Sequence, residues 1–394
     1  KVCIILSLLN NQKHFTMKAT IIGAGIGGLT TAIALKQRGI EVEIFEATPK
    51  FKRAGSGINL ALNAMQIFKR LGVYQEIIKA GSYTGSMKIT DRNLQPLSTV
   101  QMKNFERKFH VRSVAIHRAT LHEILLNQLK GTQIHLNKKV KSIDQSESGI
   151  NMLFEDGSSH STWTLIGADG IHSAVRKSIF RNTHTRIAKQ ICWRGIANTD
   201  IPKRYHSELN ELWGKGKRFG FVHLNDDEIY WYALANYKTN YKEEFKDVQL
   251  NEFFSDFHPL VGMLIKSTPQ HNILTNEITD LKPLTKWHHK NTCLLGDAAH
   301  ATTPNMGQGA CQAIESAYVI SKCLSQEEDV EKAFRIFESK RKKNATKVVN
   351  TSWKLGKAAH LNNAIGQGLR NFILKSTPEF ITQKQSEQLF RLNY

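Results

Sequence analysis

The chain has 394 residues, 41% hydrophobic and 22% charged, which excludes a disordered polymer and leaves room for two or three interwoven folding units. Its 54 Lys and Arg against 34 Asp and Glu give a net charge of +20 and a pI near 9.7, a balance that points toward acidic partners such as nucleic acid. No uninterrupted apolar run approaches the ~20 residues of a membrane-spanning helix.

The chain opens with a short apolar run, Val2 to Leu9, and Met17 stands directly before a strand-like Lys18-Ala-Thr-Ile-Ile22. The run is too short to span a bilayer and no small-residue cleavage site follows it, so residues 1–16 read as an upstream segment outside the fold. The five cysteines, Cys3, Cys192, Cys293, Cys311 and Cys323, are scattered and form no CxxC pair. That pattern favours a reducing, cytoplasmic setting over a disulfide framework or a thiolate metal site.

Residues 18–46 read strand, turn, helix, strand. The first strand ends in Gly23-Ala-Gly25-Ile-Gly27-Gly28, a helix follows from Leu29 to Arg38 and closes at Gly39, and a second strand ends at Glu46. In a GxGxxG turn the first glycine, Gly23, makes the tight bend. Gly25 lets a pyrophosphate approach the backbone, and Gly28 lets helix and strand pack closely. The helix N-terminus offers N–H groups to phosphate, and Glu46 is placed to take a ribose hydroxyl. This is a dinucleotide site, and the motif alone does not choose between FAD and NAD.

Two later corners repeat the strand, carboxylate and helix pattern. One reads Thr-Leu-Ile-Gly-Ala-Asp169-Gly170 and runs into a helix near Ser173; the other reads Gly296-Asp297 and continues through Pro304-Asn305-Met-Gly307-Gln308-Gly309 into a helix from Ala310. A strand-end carboxylate suits a sugar or ribityl hydroxyl, and a Gly-Gln-Gly turn aims backbone N–H groups and a helix dipole at an electron-rich ring edge. Between these corners lies an aromatic-rich stretch with strand alternation, in which Glu211-Leu-Trp213 leads to Lys217-Arg218 and is answered by Glu228-Ile-Tyr230-Trp231-Tyr232. Alternation puts Tyr230 and Tyr232 on one face and Trp231 on the other.

Taken together, the three motifs resemble those of the single-component FAD-dependent aromatic hydroxylases, the p-hydroxybenzoate-hydroxylase fold family, over roughly residues 17–390. The resemblance implies an α/β fold in which a Rossmann-type FAD-binding domain (17–85, 112–190 and 291–350) is interwoven with a mixed β-sheet substrate domain (86–111 and 191–290). A basic C-terminal helical segment (351–394) follows. It implies that Glu46, with Ala47 beside it, holds the adenosine ribose and that Asp297 holds the ribityl chain. Pro304, Gly307, Gln308, Gly309 and Ala310 would form the loop against the isoalloxazine. Asp169 and Gly170 belong to a motif associated with both FAD and the nicotinamide cofactor. Arg118 matches an arginine that opens a helix and contacts FAD, and Arg53 to Asn59 matches a loop over the flavin.

The hairpin most resembles that of the FAD-dependent urate hydroxylases, which implies that Arg218 orients an anionic ring and that Tyr230 helps fix it. Asn305 stands where that branch carries Asp, a departure that argues against urate itself. The implied reaction is NAD(P)H reduction of the flavin, addition of O₂ at C4a, and transfer of one oxygen atom from the hydroperoxide to an aromatic or heteroaromatic ring. A monomer or homodimer is expected.

Two other readings compete. Residues 340–394 hold eleven Lys and Arg against two acids, with Phe372-Ile-Leu and Phe380-Ile, so an alternative is an epoxidase or hydroxylase of a lipophilic substrate docked at a membrane. A nucleic-acid binder is not expected, because the basic excess does not peak in the aromatic stretch 191–235 and no recognition module appears. His223, His288 and His289 lack metal-ligand spacing and read as surface or packing residues, and no metal is expected.

Overall fold

A computed structural model describes residues 17–51, 56–225 and 227–394, so the leader 1–16 and Arg53 lie outside the described residues. A six-stranded sheet runs in the order His288–His289, Thr292–Leu294, Leu165–Gly167, Lys18–Ile22, Glu41–Phe45, Gln133–His135. All its pairs are parallel except the outermost histidine pair. Strands such as Lys18–Ile22, buried at every position after the first, need cover on both faces, as parallel sheets do. Helix Ile26–Lys36 supplies part of that cover and packs in turn against helix Gly309–Gln326. This is the Rossmann-type half, and the architecture is α/β as the sequence implies.

The second half is a seven-stranded mixed sheet in the order Leu274–Leu281, Thr185–Asn198, Glu228–Asn236, Lys217–Asn225, Glu208–Trp213, Ser86–Asp91, Pro96–Gln101. Only the Glu208–Trp213 and Ser86–Asp91 pair is parallel. The two-residue period divides its side chains cleanly. Ile191, Trp193, Phe219, Phe221, Trp231 and Ala233 form an outer core with helix Pro259–Lys266. The opposite face carries Cys192, Ile196, Val222, Leu224, Tyr230, Tyr232 and Leu234. Val222 and Leu224 meet Ala115 of strand Val114–His117, which ties this face to the Rossmann-type half.

Two boundaries expected from the sequence fall inside continuous elements. Position 191 lies within strand Thr185–Asn198, and position 351 lies within the 30-residue helix Val330–Ala359. Composition changes at those points, but the backbone hydrogen bonding does not. Helices Ala364–Ser376 and Glu379–Phe390 then close the chain against strand Pro96–Gln101. Arg370 is buried there, donating to the carbonyls of Ala358 and Ala359 and lying 5.1 Å over the Trp213 ring. The outward stripe is Ile365, Leu369, Phe372 and Ile373, with Phe380 on the next helix. Among the described residues no helix is long and apolar enough to cross a membrane.

Candidate active site

The nucleotide end is shaped by glycines that tolerate no side chain. Gly23 has φ +102°, and a Cβ there would lie 2.4 Å from the Ala168 carbonyl oxygen. A Cβ on Gly28 would lie 1.9 Å from the carbonyl oxygen of Gly23, so helix and strand touch backbone to backbone. Gly25 differs: it is exposed and a Cβ would meet nothing within 4 Å, which marks the open floor of a cradle. Helix Ile26–Lys36 begins there with no side-chain cap and no acid in its first turn, leaving its positive end for an anion. Glu46 faces the same turn, accepting from the Ala24 N–H at 2.7 Å and from the Thr48 N–H at 2.9 Å. Ala47 is exposed beside it. Arg118 opens helix Arg118–Asn127, and its N–H donates to the Ser56 carbonyl at 2.9 Å.

The two strand-end carboxylates differ in kind. Asp169 accepts from Ser173 Oγ at 2.5 Å and from the Ala174 and Val175 N–H groups at 2.7 and 3.1 Å, so both oxygens anchor the start of helix Ala174–Ile179. Burial raises its pKa in spite of these bonds, and Gly170 beside it turns with φ +78°. Asp297 is open to solvent although protein surrounds it closely enough to raise its pKa, an effect that Arg118 partly offsets. An accessible carboxylate sunk in a crevice is the donor set a sugar-like chain requires. The glycine cradle, the uncapped helix and Asp297 therefore fit a dinucleotide with a polyol arm.

Beyond Asp297, Pro304–Met306 forms a short turn, Gly307 takes φ +61°, and helix Gly309–Gln326 starts without a side-chain cap or first-turn acid. Gln308 is buried and accepts from Asn63 Nδ2 at 3.0 Å; the same amide donates to Glu315 at 2.6 Å. Glu315 is paired with buried Arg341 at 2.5 Å. The loop thus rests on a hydrogen-bonded base that ties three helices together, and Gly309 and Ala310 sit half-buried above it.

Arg218 reaches this loop from the sheet. It is 1% exposed and donates from Nη2 to Asn305 Oδ1 and from Nη1 to Glu211 Oε1 at 2.9 Å. Asn305 is oriented by its own amide nitrogen, which donates to Thr303 Oγ1 and the Ser352 carbonyl, each at 2.8 Å. Glu211 also accepts from Trp213 Nε1 at 2.6 Å and from the Tyr232 hydroxyl at 2.5 Å. Tyr230 packs on Gly57, where a Cβ would come within 2.5 Å of its ring. Burial pushes the phenols of both tyrosines up, so both remain O–H groups at neutral pH.

The sequence-derived pair of Arg218 and Tyr230 is not a face-to-face pair. Arg218 stands opposite Leu234 and Tyr230 opposite Val222, an offset of four residues, or about 13 Å along the strand. Tyr232 lies between them and is the tyrosine linked to Arg218, through Glu211. Sequence reasoning missed Glu211 and Arg194. Arg194 shares this face and donates to Asn276. Alternation of Glu211 with Trp213 on the strand beside Arg218 was the available signal. Of the histidines, His223 bonds Ser82 and stacks on His206, and His288 pairs with Glu338.

The FAD binding domain family matches residues 16–352. The aurachin C monooxygenase/isomerase of Stigmatella aurantiaca is 32% identical over 356 residues, covering 90% of this chain and 93% of that protein. The FAD-dependent urate hydroxylase of Klebsiella pneumoniae is 30% identical over 329 residues, covering 82% and 86%. Klebsiella pneumoniae HpxO, solved with FAD and uric acid, superposes with a TM-score of 0.87 at 26% identity, covering 96% of this chain and 98% of that one. With the cradle, the crevice and the loop in place, this chain belongs to the FAD-dependent aromatic hydroxylases and is a flavin-dependent oxidoreductase of the monooxygenase type.

Proposed function

We propose that the protein is an NAD(P)H- and O₂-dependent monooxygenase that hydroxylates a heteroaromatic small molecule held between the Tyr230 face of the sheet and the 304–310 loop. The observation that carries this reading is the contact of Arg218 with Asn305, because it joins the sheet face to the loop that follows Asp297. Bound FAD supplies activation of O₂ and delivery of one oxygen atom to the ring, with NAD(P)H as the external reductant.

The chain's own residues bind, orient and exclude water. Gly23, Gly25 and Gly28 admit the pyrophosphate, and Glu46, with Ala47 beside it, takes the adenosine ribose. Asp297 takes the ribityl hydroxyls with Arg118 close by, and Asn59 belongs to the cover over the flavin. The N–H groups at Gly307, Gln308, Gly309 and Ala310 sit where a helix dipole stabilises electron density on a ring edge. Asp169 acts indirectly, by fixing the turn at Gly170. Pro304 starts the turn that aims Asn305 at Arg218. Cys192, Ile196, Val222 and Leu234 give the ring side apolar surface among its charged groups, which limits water at the reacting centre.

The test is a panel of neutral and anionic aromatic rings scored by stimulation of NADH and NADPH oxidation in the yellow holoenzyme. A ring that accelerates oxidation and is recovered hydroxylated supports the reading. Purified protein that takes up no flavin sinks it.

A further inference from the structure

Glu211 is the group in the ring site that the reaction does not obviously need. A side chain that merely closed the sheet face could be apolar, as Leu209, two residues earlier on the same face, is. Instead a carboxylate 13% exposed sits against a guanidinium 1% exposed. It accepts from Arg218, from Trp213 and from Tyr232, three donors that hold it in one position. Arg218 cannot turn from it, since Nη2 is held by Asn305 and the guanidinium is planar.

We infer that Glu211 is a specificity-determining and positioning residue: it cancels the charge of Arg218, so that this end of the ring site offers hydrogen bonds without net charge and takes an uncharged, hydrogen-bonding edge of a heteroaromatic ring, while Arg194 farther along the same face keeps its charge. The inference deepens the hydroxylase reading and rests on it. The expectation of an anionic ring rests on Arg218 without its partner Glu211. An anion brought to the buried pair is attracted by Arg218 and repelled by Glu211 at similar distance, and the two terms largely cancel. A neutral ring loses nothing by that cancellation. Arg218 Nε is buried with no partner, and a ring carbonyl could satisfy a donor of this kind without bringing in charge. Leu234 opposite Arg218 and Val222 opposite Tyr230 add apolar surface at the two ends of this stretch, which matches the rest of such a ring.

Position 305 gives a second handle on the charge, although an aspartate there also loses the hydrogen bonds that the Asn305 amide nitrogen gives to Thr303 and the Ser352 carbonyl. Asn305 already touches Arg218, so Asn305→Asp places a second carboxylate on the same guanidinium. The charge summed over Arg218, residue 211 and residue 305 is zero in the wild type, +1 in Glu211→Gln, −1 in Asn305→Asp, and zero again in the double variant.

The four FAD-loaded proteins are titrated at neutral pH with urate, an anion, and with 4-quinolone, a neutral ring of similar size, and binding is read from the flavin absorbance. Urate should bind about tenfold or more tightly in Glu211→Gln, weaken by a similar factor in Asn305→Asp, and return to about the wild-type value in the double variant. 4-Quinolone should stay within about threefold throughout. If urate and 4-quinolone move together, or if Glu211→Gln leaves urate unchanged, Glu211 has no charge-setting role and the inference is overturned. Should Glu211→Gln fail to retain FAD, Asn305→Asp decides alone, because it removes no partner from a buried charge. If neither ring perturbs the flavin in any loaded protein, the Arg218–Glu211 pair does not face the ring and the inference is overturned, while the hydroxylase reading is decided separately by the wider ring panel.

Discussion

Arg218 donates a hydrogen bond from the inner face of the seven-stranded sheet to Asn305 in the loop between Asp297 and the helix at Gly309. Residues 87 positions apart thereby bring the two halves of the fold together at the candidate ring site. Each partner is independently fixed, Arg218 by Glu211 and Asn305 by Thr303 and Ser352.

That contact makes Arg218 a sharp target. Arg218→Ala should retain FAD, since the cradle residues are elsewhere, while ring-stimulated NAD(P)H oxidation falls by roughly a hundredfold or more, the usual cost of losing a preorganised donor. The check is flavin content beside steady-state rates on one preparation. Unchanged turnover would remove Arg218 from the site.

The glycines separate packing from cofactor approach. Gly28→Ala drives a methyl into the Gly23 carbonyl and should unfold the Rossmann-type half or cost more than about 3 kcal/mol. Gly25→Ala meets nothing within 4 Å in the protein and should fold normally, yet bind FAD ~10- to 100-fold more weakly, because its methyl enters the cradle. Urea unfolding of the apoprotein and FAD titration measure the two effects apart. Normal FAD affinity in Gly25→Ala would place the pyrophosphate elsewhere.

Two buried histidines should make the fold acid-labile. Burial lowers the pKa of His300 and of His360 to about 3, with Arg341 and Arg218 respectively adding to the effect. Below the unfolded value near ~6.5 the unfolded chain takes up protons that the native state refuses, so stability falls as pH drops from there toward 3. Between pH 7 and 5 each contributes a loss of up to about 2 kcal/mol. Urea unfolding at the two pH values, with His360→Gln as the flattened control, tests the sign. Greater stability at pH 5, or a His360→Gln slope as steep as the wild type, would be the contrary result.

Beneath the loop, the Glu315–Arg341 pair should behave as a buried ion pair. Arg341→Met leaves Glu315 unpaired under Asn63 and Gln308 and should cost about 3–5 kcal/mol. Adding Glu315→Leu should recover part of that loss. Denaturant midpoints of the single and double variants give the coupling directly. Additive losses would mean that the pair is not coupled.

What the sequence made legible were features whose meaning is local. The spacing of Gly23, Gly25 and Gly28, the strand-end positions of Asp169 and Asp297, and the alternation around Trp231 each follow from a few consecutive residues. What it hid depends on partners far away in the chain. Asp169 looks like Asp297 in sequence, yet only the fold reveals that Asp169 caps its own helix and that Asp297 stays open. Tyr230 and Tyr232 are equivalent by alternation, and only strand register shows that Tyr232 is the one joined to Arg218 through Glu211. The basic C-terminal segment likewise gave no hint of a buried Arg370 stacked over Trp213.

The most direct measurement is product analysis under oxygen-18 gas with the holoenzyme, NAD(P)H and whichever ring stimulates oxidation. The account predicts one heavy oxygen atom in the hydroxylated ring for each coupled turnover, lost in Arg218→Ala while flavin remains bound. NAD(P)H consumption that yields only hydrogen peroxide with every ring, or a product oxygen derived from water, would contradict it.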